Sequence, residues 1–136
     1  MSEKLCTLRK SGGGKMKETV LWTNPNTTVG FASSNINLSD NISKYKFISI
    51  KAQVNTNISN ALDYYFDTTD VVNATPSSTY PKIYIGYYTN STFFYRVGYY
   101  QDDTHLSIAD CLYNRSNTTA ATGNNAVIPV SISGWK

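Results

Sequence analysis

The chain has 136 residues, enough for one domain with its own core and too few for two of ordinary size. Charged residues make up only 15%, so the surface must be polar mainly through uncharged Asn, Ser, Thr and Tyr. The net charge of +3 resides in residues 1–18, which carry five basic and two acidic groups, whereas residues 19–136 carry seven of each. A neutral body argues against a nucleic-acid-binding face.

Residues 1–17 read as a flexible basic arm. They contain no continuous apolar stretch of the kind a signal peptide needs, and no later segment approaches a membrane span, so a soluble protein made in the cytoplasm is expected, without a membrane partner. Cys6 and Cys111 are too few and too far apart for a disulfide scaffold. Gly12, Gly13 and Gly14 form a hinge with no side chains to bury. Ahead of that hinge, Leu5, Thr7, Leu8, Arg9 and Lys10 are the residues expected to anchor on a partner, Thr7 to Arg9 by adding a strand to a sheet edge.

Residues 18–136 read as one all-β domain, an antiparallel β-sandwich of about eight strands, expected to be jelly-roll-like. Short runs of β-branched and aromatic residues alternate with Asn, Asp, Ser, Gly and Pro clusters. The strands are expected near Glu18–Thr23, Gly30–Leu38, Tyr45–Val54, part of Tyr64–Asn73, Tyr80–Tyr88, Ser91–Gln101, Thr104–Tyr113 and Ala126–Ser133. Ile48, Ile50, Ala52 and Val54 share one face of the third strand, and Ile128, Val130 and Ile132 one face of the last. Pro129 lacks an N–H, which predicts that the last strand is an edge or is bulged there. Turns at residues 88–91 and 101–104 join three strands into a meander.

Aromatic residues crowd the segment Tyr80 to Tyr100 on both strand faces, more than one thin core can hide. Two readings follow. One face fills the core and the other an interface between copies, or the outer rings meet a sugar or protein ligand. For the ligand reading, Tyr84, Tyr88, Tyr99, Tyr100 and Asp102 are the binding candidates.

No catalytic or metal-binding residues are assigned, and no cofactor is implied. Asp63, Asp67, Asp70, Asp102 and Asp103 lack the spacing of a calcium loop and read as turn and surface residues. His105 is the only histidine and reads as a solvent-facing strand residue beside a turn.

The opening Leu21-Trp22-Thr23-Asn24-Pro25, the aromatic-alanine step Phe31-Ala32, the Ser43-Lys44-Tyr45 step and the closing run Ile128 to Gly134 together resemble a family of small phage proteins from Gram-positive gut bacteria and their prophages. The resemblance spans residues 18–136 and marks Trp22, Asn24, Pro25, Phe31, Pro129 and Gly134 as its structural positions. It implies a virion component assembled in the host cytoplasm, of the tail-fibre or baseplate type, projecting a β domain toward host-surface carbohydrate. A capsid-decorating or head-fibre protein held by its arm is the alternative. Either placement implies other virion proteins as partners and a homo-oligomer, preferably a trimer.

Overall fold

The computed structural model describes residues 14–54, 57–76, 83–89, 92–113 and 123–136. Tyr80 and the arm residues Leu5, Thr7, Leu8, Arg9 and Lys10 lie outside these. Among the described residues the β-rich runs form nine strands. They are β1 (Glu18–Thr23), β2 (Ser34–Asn37), β3 (Phe47–Val54), β4 (Asn57–Asp67), β5 (Ile83–Thr89), β6 (Thr92–Asp102), β7 (His105–Ile108), β8 (Leu112–Tyr113) and β9 (Val127–Trp135). Two short helices, α1 (Thr68–Val72) and α2 (Gly123–Ala126), and a 3-10 turn at Ile42–Lys44 connect them.

Every pairing is antiparallel. One sheet runs β1-β9-β3-β4 and the other β2-β7-β6-β5, with β8 also paired to β6. The first contributes Leu21, Ile48, Ile50 and Ile132 to the core, and the second Ile36, Ile83, Ile85, Leu106 and Ile108. The chain is thus an all-β sandwich. Each of these buried aliphatic side chains contributes about 1.5–3 kcal/mol by leaving water.

The alternation expected in β3 is present, with Ile48, Ile50 and Ala52 in the core cluster and Lys51 exposed. That expected in β9 is not continuous. Its register against β3 passes from Lys51↔Ser131 to Ala52↔Pro129, so a bulge beside Pro129 changes which residues face inward. Ile132 and Val127 enter the core cluster, while Ile128 pairs across from Gln53 and is buried outside that cluster. Nor is β9 an edge, since it lies between β1 and β3. The bulge accommodates the missing N–H of Pro129 within a central strand.

The Trp-Thr-Asn-Pro opening has a local mechanical role. Asn24 is 9% exposed, donates through Nδ2 to the Pro129 carbonyl at 2.7 Å and accepts from the Asn26 N–H at 3.0 Å. It thereby ties the end of β1 to the bulge in β9 and turns the chain at Pro25. Asn26 repeats the turn by accepting from the Thr28 N–H at 3.0 Å, which holds this segment out of strand geometry. Farther on, the Phe31 N–H donates to the Asn124 carbonyl at 2.9 Å and the Ser33 N–H to Asp110 Oδ1 at 2.7 Å, so the chain stays out of the ladder until β2 begins at Ser34 instead of Gly30.

Two further departures have clear local causes. Strand β4 begins seven residues before Tyr64, as the polar outer edge of its sheet. It stops at Asp67 because that carboxylate accepts from the Thr69 N–H at 2.9 Å and caps α1. At the other end of the chain, Gly134 lies under the buried Tyr45, and a Cβ there would sit 2.4 Å from the ring.

Candidate functional site

The two faces of the hairpin β5-β6 are distinguished by what fills the core. Tyr87, Phe94 and Tyr100 pack against the core cluster together with the buried Ile83 and Ile85. Strand alternation therefore places Phe93, Tyr95, Val97, Tyr99 and Gln101 of β6 on the outer face, with Tyr84 of β5 beside them.

Register divides this face into two halves. In the aromatic half, Tyr84 stands across from Val97 and Tyr95 across from Leu112. The Phe93 and Tyr95 rings stack with centroids 5.3 Å apart, and the Tyr84 and Tyr95 centroids are 6.4 Å apart. Tyr84 remains 45% exposed while Val97 is only 9% exposed, so the rings form a floor of apolar surface with polar tips. In the polar half, Asn35 of β2, Ser107 of β7 and Tyr99 of β6 lie in one row across three strands. Gln101 Nε2 donates to Asn35 Oδ1 at 2.9 Å. Ser33, Ser34 and Ala109 close the end of this row, leaving a shallow groove of about 390 Å³.

The five binding candidates thus separate. Tyr84 and Tyr99 share the outer face, one in each half. Tyr88 pairs through its backbone with Phe93, but its side chain lies outside the described residues. Tyr100 is turned inward, and its hydroxyl donates to Asp103 Oδ1 at 2.8 Å, which together with burial raises its phenol above the ordinary value. Asp102 belongs to the β6-β7 turn, where it accepts from the Thr104 N–H at 2.9 Å and contacts His105 Nδ1 at 2.7 Å. The His105 contact, with the Thr104 N–H, holds the Asp102 carboxyl below its ordinary range. Asp102 and His105 therefore serve the turn geometry.

Phe93, Tyr95, Asn35, Ser107 and Gln101 join the face without having been singled out as binding residues. The odd-numbered run 93 to 101 was the available signal, but both parities of β6 are aromatic. Ile83 decides between them, because a Cβ on Gly98, directly across the strand pair, would meet Ile83 Cγ2 at 2.6 Å.

Strand β6 is held at this depth by Arg96, which is fully buried. Its Nε donates to the Val127 carbonyl at 2.6 Å, one terminal nitrogen to Ala109 at 2.8 Å, and the other to Phe31 at 2.6 Å and Asn124 at 3.2 Å. The guanidinium carbon also lies 5.3 Å from the centre of the Phe31 ring, which meets Trp22 edge-on at 5.9 Å. Burial lowers the Arg96 pKa to about 10, opposed by the Asp110 carboxylate, so the side chain stays protonated near neutral pH. Asp110 in turn accepts from the Ser33 N–H at 2.7 Å and from Asn124 at 3.1 Å. This network fixes the rim of the polar half to the sheet that forms its floor.

No family model matches the chain, and no curated protein matches it either. A second groove, of about 440 Å³, runs between the 3-10 turn and α1, and it is lined by Lys46 and Asp67. Its one aromatic ring, Tyr45, is committed to packing over Gly134. Among the described residues, no group of three or more His, Cys, Asp or Glu side chains could hold a metal ion. Among the described residues, the outer face of the β2-β7-β6-β5 sheet is the candidate ligand surface.

Proposed function

We propose that this chain is a non-catalytic structural protein of a bacteriophage virion, a tail-fibre or baseplate component that presents the outer face of its β2-β7-β6-β5 sheet to host-surface carbohydrate. The observation that carries the binding role is the adjacency of Tyr84, Tyr95 and Tyr99 to a row of uncharged amides and hydroxyls on one sheet face. Flat rings with apolar faces stack on sugar C–H surfaces, and uncharged polar groups match sugar hydroxyls. The virion setting is supported by the resemblance of the Trp22 to Pro25 opening and the Ile128 to Gly134 closing run to small phage proteins. Nested pairing of β1 with β9 and of β2 with β7 supports a jelly-roll-like form of the sandwich.

In this reading the arm docks on neighbouring virion proteins, and the β domain stands on a symmetric, preferably trimeric, mount. The test is direct binding of the full chain to envelope polysaccharide extracted from Gram-positive gut bacteria. Saturable binding is expected, and changing Tyr84, Tyr95 and Tyr99 together to Ala should remove it without lowering thermal stability. Binding that survives the triple change, or none to any extract, overturns the proposed binding role. A density map of the intact particle tests the placement.

A further inference from the structure

We propose that the row Asn35–Ser107–Tyr99 is the floor of a subsite for one uncharged sugar ring, with Tyr99 as the stacking surface. The inference rests on the glycan reading of this sheet face and adds to it the location and charge class of the ring that is held.

Neighbouring residues across antiparallel strands stand about 5 Å apart, so a three-strand row can place one flat ring and two polar groups under a single pyranose. Asn35, Ser107 and Tyr99 are such neighbours, through the pairs Asn35↔Ser107 and Tyr99↔Ser107. The Gln101 hydrogen bond to Asn35 Oδ1 orients the amide so that its nitrogen serves as the donor to a ligand hydroxyl. Ser107 supplies a hydroxyl that both donates and accepts. At about 390 Å³ the groove has room for one ring and part of the next.

Charge decides the class of ligand. Ser33, Ser34, Asn35, Tyr99, Ser107 and Ile108 line the groove, and none of them is a carboxylate, lysine, arginine or histidine side chain. The carboxylates nearest in the fold are already engaged, Asp110 with Ser33 and Asn124, and Asp102 with Thr104 and His105. Among the described residues, the guanidinium beneath this region is that of Arg96, which is buried and donates to backbone carbonyls. Among the described residues of this groove a phosphate or uronate would therefore leave water without gaining a counter-charge, whereas a neutral hexose or N-acetylhexosamine exchanges hydroxyl–water bonds for equivalent ones.

The experiment is titration of the full chain with two sets of probes. One set holds neutral hexose and N-acetylhexosamine oligosaccharides, the other poly(glycerol phosphate) and polygalacturonate. Binding to neutral probes alone is expected, weakened about tenfold or more by Tyr99→Ala and by Ser107→Val, and retained by Tyr99→Phe, which keeps the ring. Tighter binding of the charged polymers overturns the inference. So does neutral binding that ignores Tyr99→Ala and Ser107→Val but is lost in Tyr84→Ala with Tyr95→Ala; that result leaves the glycan reading intact and moves the ring to the aromatic half. Failure of every probe at millimolar concentration, with envelope polysaccharide still bound, overturns the subsite alone. If the polysaccharide also fails to bind, both readings fall.

Discussion

Arg96 donates through Nε to the carbonyl of Val127 at 2.6 Å, joining the middle of β6 to the first residue of β9 across the sandwich. The same side chain reaches Ala109, Phe31 and Asn124, so one buried cation satisfies four carbonyls from three separate stretches of chain. Changing it to Met keeps much of the volume and removes every donor. Because unsatisfied buried groups cost about 1–3 kcal/mol each, a loss of at least about 3 kcal/mol is expected in urea unfolding. Arg96→Lys should recover only part of it, since an ammonium lacks the planar fork. A loss below about 1 kcal/mol for Arg96→Met would show that water replaces the donors at little cost.

Gly134 and Tyr45 supply a second test, of the closing motif. Gly134→Ala places a methyl against the Tyr45 ring and should cost about 1–3 kcal/mol through overpacking. In a Tyr45→Ala background the same change should cost under about 0.5 kcal/mol, because the obstructing ring is gone. Equal penalties in both backgrounds would place the strain in the backbone instead.

These two sites also show what was legible in the sequence. The inward set Ile48, Ile50 and Ala52 follows from local alternation, because one side of β3 is plainly more apolar, and the end of β1 follows from the Asn24-Pro25 breaker that stops its β-branched and aromatic run. The phase of β9 was hidden, because a bulge adds a residue without altering composition. Arg96 was hidden for a different reason. Between Tyr95 and Val97 an arginine reads as a surface residue, and only the meeting of residues 31, 109, 124 and 127 in space makes burial favourable. The aromatic surplus of the hairpin was plain, but its division into inward Phe94 and Tyr100 and outward Tyr95 and Tyr99 depends on a packing partner from another strand.

Acid should weaken the 3-10 turn through Asp40. Hydrogen bonds from Lys44 at 2.7 Å and from the Asn41 N–H at 2.8 Å hold its carboxyl at about 2, below the ordinary 3.8. A depressed folded-state pKa contributes stability above 3.8, and that contribution is lost as pH falls through about 2. Asp40→Asn should therefore lower the melting temperature near neutral pH, with the gap to the unaltered protein narrowing steadily over that acid window. A gap that stays constant with pH would assign the effect to the neutral contact with the Tyr45 hydroxyl at 3.0 Å.

The arm should separate from the fold at its glycines and not at Lys17. Met16 is only 8% exposed, and Lys17 exchanges backbone hydrogen bonds with Lys136, its N–H donating at 2.8 Å and its carbonyl accepting at 3.2 Å. Removing residues 2–13 should thus leave the urea midpoint unchanged, because Gly14 onward still closes against the last strand. Extending the deletion through Lys17 takes away the buried thioether and both terminal hydrogen bonds, at an expected cost of about 2–5 kcal/mol. The shorter deletion also isolates the proposed anchoring by Leu5, Thr7, Leu8, Arg9 and Lys10 from stability. A protein that lacks residues 2–13, unfolds like the full chain and fails to enter phage particles is the expected result. Normal incorporation of that protein would place the anchor in the β domain, with the outer aromatic face as the next surface to alter.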